Sequence, residues 1–322
     1  MIRIGARRSP LAVVQAEWVA ARLQELGHDC ELTGIDSLGD VDRRRLTEIG
    51  GTGIFATAVR DLLRAQRIDV AVHSLKDLPV APAPQLVVAA IPVREDVRDV
   101  LVGLDLEQWR DGTRIGTGSP RRAVQLQELA RQRGVRIEVV PIRGNVDHRL
   151  DLVRQGRVDA TVLAAAGLVR LDRLSAEDAG EDVTATVQAQ LGDLRARVMG
   201  TDEFLPAPGQ GALAVECHED APGQVRQALA EVDDRPTRAA VEAERGFLSR
   251  LEAGCLAPVG AHAVVDGDDL TIRAVAGEES SHEALVRAQH KGPAARAVEL
   301  GQTLADEVLG QLDATRARPE VE

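Results

Sequence analysis

The chain repeats part of itself, and the repeat limits what it can fold into. Ile4-Gly5-Ala6-Arg7-Arg8-Ser9-Pro10 returns as Ile115-Gly116-Thr117-Gly118-Ser119-Pro120-Arg121-Arg122. Ala-Val and then a glutamine, Gln15 or Gln125, follow each copy. A second motif, Arg67-Ile68-Asp69-Val70-Ala71-Val72, returns as Arg157-Val158-Asp159-Ala160-Thr161-Val162. The first motif reads as a strand running into a helix start. Serine is its N-cap, and proline takes the first helical position, where a missing N–H costs nothing. The second reads as a buried strand. Strands alternating with helices imply mainly parallel sheets. The expected fold class is α/β with two similar lobes, and such lobes bind a ligand between them, at the carboxyl ends of their strands.

The spacing of apolar residues fills in the plan. Residues 2–5 read as a strand, and Leu11, Val14, Trp18, Val19, Leu23 and Leu26 as a helix that Gly27 ends. A strand is expected over 30–35, a helix over 54–66 and a buried strand over 68–73. From about Thr237 the pattern changes. A helix over 238–251 leads to Gly254-Cys255, three short strands surround Val264, Ile272 and Val286, and a helix covers about 294–309. This is a small α+β third domain. The acidic stretch 172–203 carries no strong motif and reads as a helical insertion without chemistry. Residues after about 313 are polar and are expected to fray.

Composition excludes several classes. At 322 residues the chain suffices for two or three domains. It has three Phe, two Trp and no Tyr, so its cores must be built from Val, Leu, Ile and Ala. A net charge of −12 and the lack of stacking aromatics argue against nucleic acid as a partner. No export signal and no apolar run near the roughly 20 residues of a membrane span is evident, so a cytoplasmic location is expected. Three cysteines, Cys30, Cys217 and Cys255, form no CxxC, which suggests neither a disulfide framework nor a metal site.

The residues that could carry chemistry begin with His73-Ser74-Leu75-Lys76-Asp77-Leu78-Pro79. Only two lysines occur, Lys76 and Lys291, against many arginines. A lysine can shift its pKa where a guanidinium cannot, and the carboxylate beside it can manage protons or stabilise a cation. Taken alone, a Lys-Asp dipeptide reads as a weak surface ion pair. Both lobes, however, also offer arginines at a helix N-terminus, a natural anion site. Further arginines, Arg143, Arg149 and Arg170, fall at loop-like points. Each alone is an ordinary solvated residue; together they suggest a ligand with many negative charges. Residues 50–53 and 116–118 are glycine-rich but lack the Lys-Ser/Thr of a P-loop. Cys255, between Gly254 and Pro258, lies on a predicted loop, whereas Cys30 and Cys217 read as core. His73 and His148 flank the charged motifs and are assigned structural or tuning roles.

Six motifs in order make the chain resemble the porphobilinogen deaminase (hydroxymethylbilane synthase) family. They are Ala6-Arg7-Arg8-Ser9-Pro10-Leu11-Ala12, the Lys76-Asp77 segment, Gly116 to Arg122, Arg143-Gly144-Asn145-Val146, Leu205-Pro206-Ala207-Pro208-Gly209-Gln210-Gly211 and Leu251-Glu252-Ala253-Gly254-Cys255. The resemblance implies two periplasmic-binding-protein-like lobes, 1–93 with 210–232 and 97–205, and a third domain over 235–322. It implies a dipyrromethane cofactor held by a thioether to Cys255. Four porphobilinogens are then added in turn with loss of ammonia, through oligopyrrole intermediates, and water releases hydroxymethylbilane. Asp77 matches the catalytic aspartate, which stabilises an electron-poor methylene pyrrole. Ser74, Lys76, Asp77, Thr117, Ser119, Arg121, Arg122 and Gly144 match cofactor contacts. Arg7, Ser9, Gln15, Phe55, Arg143, Arg149, Gly167, Arg170 and Gln210 match contacts to substrate or growing chain. A monomer is implied. The chain departs from the family pattern at Leu38, Glu48 and Thr52, where a mobile loop often carries basic residues and where Arg43, Arg44 and Arg45 are candidate substitutes, and at Gly118, which removes a hydroxyl.

Two rival readings remain at this level. A non-enzymatic two-lobed polycarboxylate-binding protein explains the lobes and arginines but not Lys76-Asp77, Cys255 or the third domain. A cysteine-dependent hydrolase or acyltransferase lacks His/Asp partners. A protein mass exceeding that of the sequence by a dipyrromethane separates all three.

Overall fold

In the computed structural model the described residues are 1–35, 54–175, 177, 180, 182–251, 258–277 and 285–316, without the side chains of residues 54, 55 and 316. Leu38, Arg43 to Arg45, Glu48, Thr52, Cys255 and the side chain of Phe55 therefore lie outside them. The chain begins β1 (Ile2–Arg7), α1 (Pro10–Glu25), β2 (Cys30–Ile35), α2 (Ile54–Arg64), β3 (Val70–Ser74) and β4 (Leu86–Ala90). It crosses to β5 (Asp99–Gly103), β6 (Thr113–Gly116), α3 (Pro120–Gln132), β7 (Ile137–Val140), α4 (Val146–Arg154), β8 (Ala160–Ala164), α5 (Ala165–Arg170), β9 (Val187–Leu191) and β10 (Leu194–Met199). It returns through β11 (Leu213–His218) and α6 (Gly223–Val232). Last come α7 (Arg235–Arg250), β12 (Val259–Asp266), β13 (Asp269–Ala276), β14 (Val286–Pro293) and α8 (Ala297–Arg316).

The repeated sequence builds a repeated topology. The first sheet has the order β2-β1-β3-β11-β4 and the second β7-β6-β8-β5-β10-β9. In each, three parallel strands from one stretch of chain (β2-β1-β3, β7-β6-β8) meet an antiparallel strand delivered after a crossing between lobes, β11 or β5. The two Arg…Asp motifs make matching clasps. Arg3 and Arg114 each donate a backbone N–H to Oδ2 of Asp69 or Asp159, at 2.9 and 2.8 Å. Their Nη2 groups reach Oδ1 at 2.7 and 2.8 Å. Gly5 and Gly116 recur because a Cβ there would strike Ile68 or Ile142, which cover the strands.

Helix α1 buries Ala12, Gln15, Ala16, Val19, Ala20 and Leu23. The expected apolar face was larger: Trp18 and Leu26 are 38% and 48% exposed. Small side chains let the helix lie close on the sheet, and the bulky Trp18 is turned outward.

The stretch 172–203 corrects the expectation of a helical insertion. Its residues 187–199 form the hairpin β9–β10, which extends the second sheet through β10 against β5. The C-terminal unit is a three-stranded antiparallel sheet, β12-β13-β14. Helices α7 and α8 cover one face through Phe247, Leu304 and Val308 against Leu270, Ile272 and Ala274.

Candidate active site

Parallel strands place their carboxyl ends together, so the motifs that follow β1 and β3 converge. The turn Leu75–Asp77 is a single 3-10 turn. Leu75 and Leu78 anchor it in the core at 1% and 2% exposure, and Leu75 N–H donates to the Ala212 carbonyl at 3.0 Å. Anchored by these leucines, Lys76 is half-buried and Asp77 exposed. The Leu205–Gly211 motif backs this turn. Gly209 has φ +74 and lies where a Cβ would press on Leu75 and the Lys76 amide. A cavity beside the turn is lined by Arg7, Gln15, His73, Ser74 and Asp77 among others. Gln15 Nε2 donates to Ser74 Oγ at 2.9 Å.

Across the cleft the second lobe presents cations. Asp99, fully buried, accepts from Arg121 Nη1 at 2.7 Å and Arg122 Nη2 at 2.6 Å. Gln210, also fully buried, donates to Asp99 Oδ1 at 3.1 Å and accepts from Lys76 Nζ at 3.1 Å. This one glutamine couples the lysine of the first lobe to the arginines of the second. Burial alone would push the Asp99 carboxyl up; the Arg121 and Arg122 charges outweigh it and hold it well below the usual carboxylate range. Burial, then the Arg122 charge, pulls the Lys76 ammonium down to about 8 against the opposing pull of Asp77 and Asp99.

Arg149 donates Nε to the Gly144 carbonyl at 3.0 Å, and its Nη groups bond no described residue. Burial, then Arg122 and Arg143, lowers it to about 10, with Asp77 opposing from the other lobe. Arg170 is lowered to about 10 by burial; its Nη2 donates to the Gly211 carbonyl at 2.7 Å. Ser9 and Ser119 cap α1 and α3 without a side-chain cap hydrogen bond. Ser9 Oγ, Arg143 Nη1 and Arg121 Nε are buried with no partner among the described residues. Thr117 is buried and accepts from Ser119 N–H at 3.1 Å. Gly167 on α5 faces Leu11 of α1, where a Cβ would lie 3.7 Å away, so the lobes touch there.

The structure thus brings together Arg7, Ser9, Gln15, Ser74, Lys76, Asp77 and Gln210 on one side and Arg121, Arg122, Arg143, Arg149 and Arg170 on the other. It adds groups not singled out in sequence. Asp99 opens a buried apolar strand, and a carboxylate at the head of Val100-Leu101-Val102 was its available signal. Glu216 sits in the middle of buried β11 for the same reason.

A family model described as "Porphobilinogen deaminase, dipyromethane cofactor binding domain" matches residues 2–227, and one described as "Porphobilinogen deaminase, C-terminal domain" matches residues 238–310. Porphobilinogen deaminase 1 of Streptomyces coelicolor is 47% identical over 96% of this chain and 95% of its own length. That of Streptomyces avermitilis is 46% identical over the same shares, and porphobilinogen deaminase of Nocardia farcinica 45% over 96% of this chain and 85% of its own. The chain belongs to the porphobilinogen deaminase family.

The cleft fits the cofactor for which the porphobilinogen deaminase model is named. A dipyrromethane built from porphobilinogen carries several carboxylates. Here the Arg143 charge bears on Arg149, Arg143 Nη1 is buried with no partner among the described residues, and Lys76 is lowered by burial and then by Arg122. Cations held close together with donors left over attract an anionic ligand.

Proposed function

We infer that this chain condenses four porphobilinogen molecules head to tail, with loss of ammonia, and releases hydroxymethylbilane by hydrolysis. The observation that carries it is one exposed carboxylate, Asp77, facing a half-buried set of cations from the opposite lobe, in a chain of this family. A binding protein for polycarboxylates would need the cations but not the carboxylate among them.

The bound dipyrromethane supplies the pyrrole carbon to which the first substrate is joined. Cys255 is the proposed attachment thiol. Lys76, Ser119 and Arg149 offer donors to carboxylates near the turn. Arg121 and Arg122, already paired with Asp99, act on them through their field, with Arg121 Nε still to be satisfied. Arg7, Ser9, Arg143 and Arg170 receive the carboxylates of incoming rings, and Gln210 holds Lys76 in place. Asp77 balances the positive charge that develops on the substrate as its amine departs. The proposed domains are 1–93 with 210–232, 97–205 and 235–322. No helix of the described residues is long and apolar enough to cross a membrane, and a cytoplasmic monomer is the proposed state.

The experiment compares the wild-type protein with Asp77→Asn. Wild-type protein is expected to exceed its sequence mass by a dipyrromethane and to release ammonia and a linear tetrapyrrole from porphobilinogen. Asn keeps the shape but not the charge, and turnover should fall on the order of 100-fold or more. Wild-type protein of unadorned mass that releases no ammonia overturns the function; an Asp77→Asn rate near wild type removes Asp77 from the reaction.

A further inference from the structure

We propose that His73 is a proton-accepting group of the cleft, oriented by Glu216. Strands β3 and β11 pair Ala71 with Glu216 and Ala214 with His73. That register puts Glu216 and His73 diagonally on one face, beneath α2. Arg60 of α2 clamps the Glu216 carboxylate with Nε at 2.8 Å and Nη2 at 2.7 Å. His73 Nε2 lies 3.3 Å from the same carboxylate, at Oε2. All three side chains are almost wholly buried. Glu216 would be pushed up by burial alone; the hydrogen bonds and charges of His73 and Arg60 hold it down at about 2, so it is an anion throughout the working range. The 3.3 Å approach falls short of regular hydrogen-bond geometry, but the group nearest Nε2 is an anion, which favours the neutral tautomer with its proton on Nε2 and the Nδ1 lone pair open.

The other side of His73 borders the cavity it shares with Asp77, Arg7 and Ser74. Nδ1 has no partner among the described residues. The charged groups around the ring are Glu216 of β11 and Arg60 of α2 on its buried side, and Arg7 of β1 and Asp77 on its cavity side; α1 contributes the uncharged Gln15. Three buried ionisable groups cost more than an apolar cluster of equal volume. Their arrangement, with one free ring nitrogen at a cavity wall, gives them a use.

This inference rests on the deaminase reading of the cleft. In each condensation the C–N bond of the substrate's protonated aminomethyl arm breaks, ammonia leaves with the electron pair of that bond, and the new C–C bond forms with loss of one proton from the pyrrole carbon that is joined. His73 Nδ1 takes that proton and returns it to ammonia, which departs as ammonium. Asp77 remains the counter-charge.

The test uses the protein carrying its cofactor. Nitrogen-15 spectra of the neutral His73 ring should show Nε2 protonated and Nδ1 bare. A neutral ring protonated on Nδ1 overturns the proposal without touching the deaminase reading. His73→Gln can still donate to Glu216 but cannot titrate; its kcat should fall about 100-fold or more with KM little changed, and the acid limb of its pH–rate profile should vanish. Glu216→Gln removes the anion beside Nε2 and should also lower kcat with KM little changed. A His73→Gln profile superimposable on wild type overturns the proposal. Absence of ammonia release from wild-type protein instead overturns the deaminase reading itself.

Discussion

Lys76 shows how a single residue's surroundings set its working range. Its ammonium is pulled down to about 8, first by burial and then by Arg122. The charge that would receive a carboxylate is therefore full below pH 7 and lost as pH rises through 8. Binding of a tricarboxylate such as citrate should weaken about tenfold between pH 7 and pH 9, the loss of charged lysine expected across that midpoint. Lys76→Arg cannot titrate there and should bind evenly at both pH values; titration calorimetry at the two pH values decides it. Equal weakening in the variant would place the titrating group elsewhere. At this scale the sequence was a good guide where a residue type was out of place: a rare lysine beside an aspartate pointed to the turn at once. It was a poor guide to Asp99, and it pointed to Gln210 only through a family motif, as a substrate contact and not as a link to Lys76. What they do shows only in the fold, where Gln210 lies 3.1 Å from both Lys76 and Asp99, 134 and 111 residues away.

At the scale of elements, the paired motifs were legible because each repeats a physical requirement. A strand needs a glycine under an isoleucine, and an arginine needs an aspartate to clasp. The hairpin β9–β10 replaces the expected helix, and the period of its residues is that of strands. Val187-Gln188-Ala189-Gln190-Leu191 and Leu194-Arg195-Ala196-Arg197-Val198 both alternate, and Gly192 turns between them at φ +59. The hairpin is a working part of the second core: Leu191 is 2% exposed among Val100, Leu163 and Val198. Leu191→Ala should destabilise the protein by about 2–5 kcal/mol. Asp193, at the exposed tip, pairs with Arg154 in solvent. Asp193→Ala should leave the urea midpoint where it was. If Leu191→Ala leaves the midpoint as unmoved as Asp193→Ala does, the hairpin is an appendage and not part of that core.

The whole molecule depends on a junction that no motif announced. Glu244 of α7 is completely buried and serves all three parts of the chain. Its oxygens accept from Arg94 at 2.7 and 2.8 Å, in the segment leading out of the first lobe. They accept from the Gly209 N–H at 2.6 Å, in the segment leading back, and from the Ala263 N–H at 2.9 Å, in the C-terminal sheet. Arg94 also donates to the Gln210 carbonyl at 2.8 Å, so the junction stands directly behind the Lys76 turn. A glutamate in a helix heptad of mixed charges looks like any solvated residue, and only the fold shows that its face is internal. Glu244→Gln keeps the size but leaves the Arg94 guanidinium buried without an anion. Removing one partner of such a pair costs on the order of 3–5 kcal/mol. The variant should melt at lower temperature and expose the linker arginines, Arg94 and Arg98, to trypsin sooner than wild type. Because Arg94, which also donates to the Gln210 carbonyl, loses its anion, tricarboxylate binding at the Lys76 turn should weaken with it. A variant with wild-type melting, digestion and binding would show that the three units hold their places by apolar packing alone.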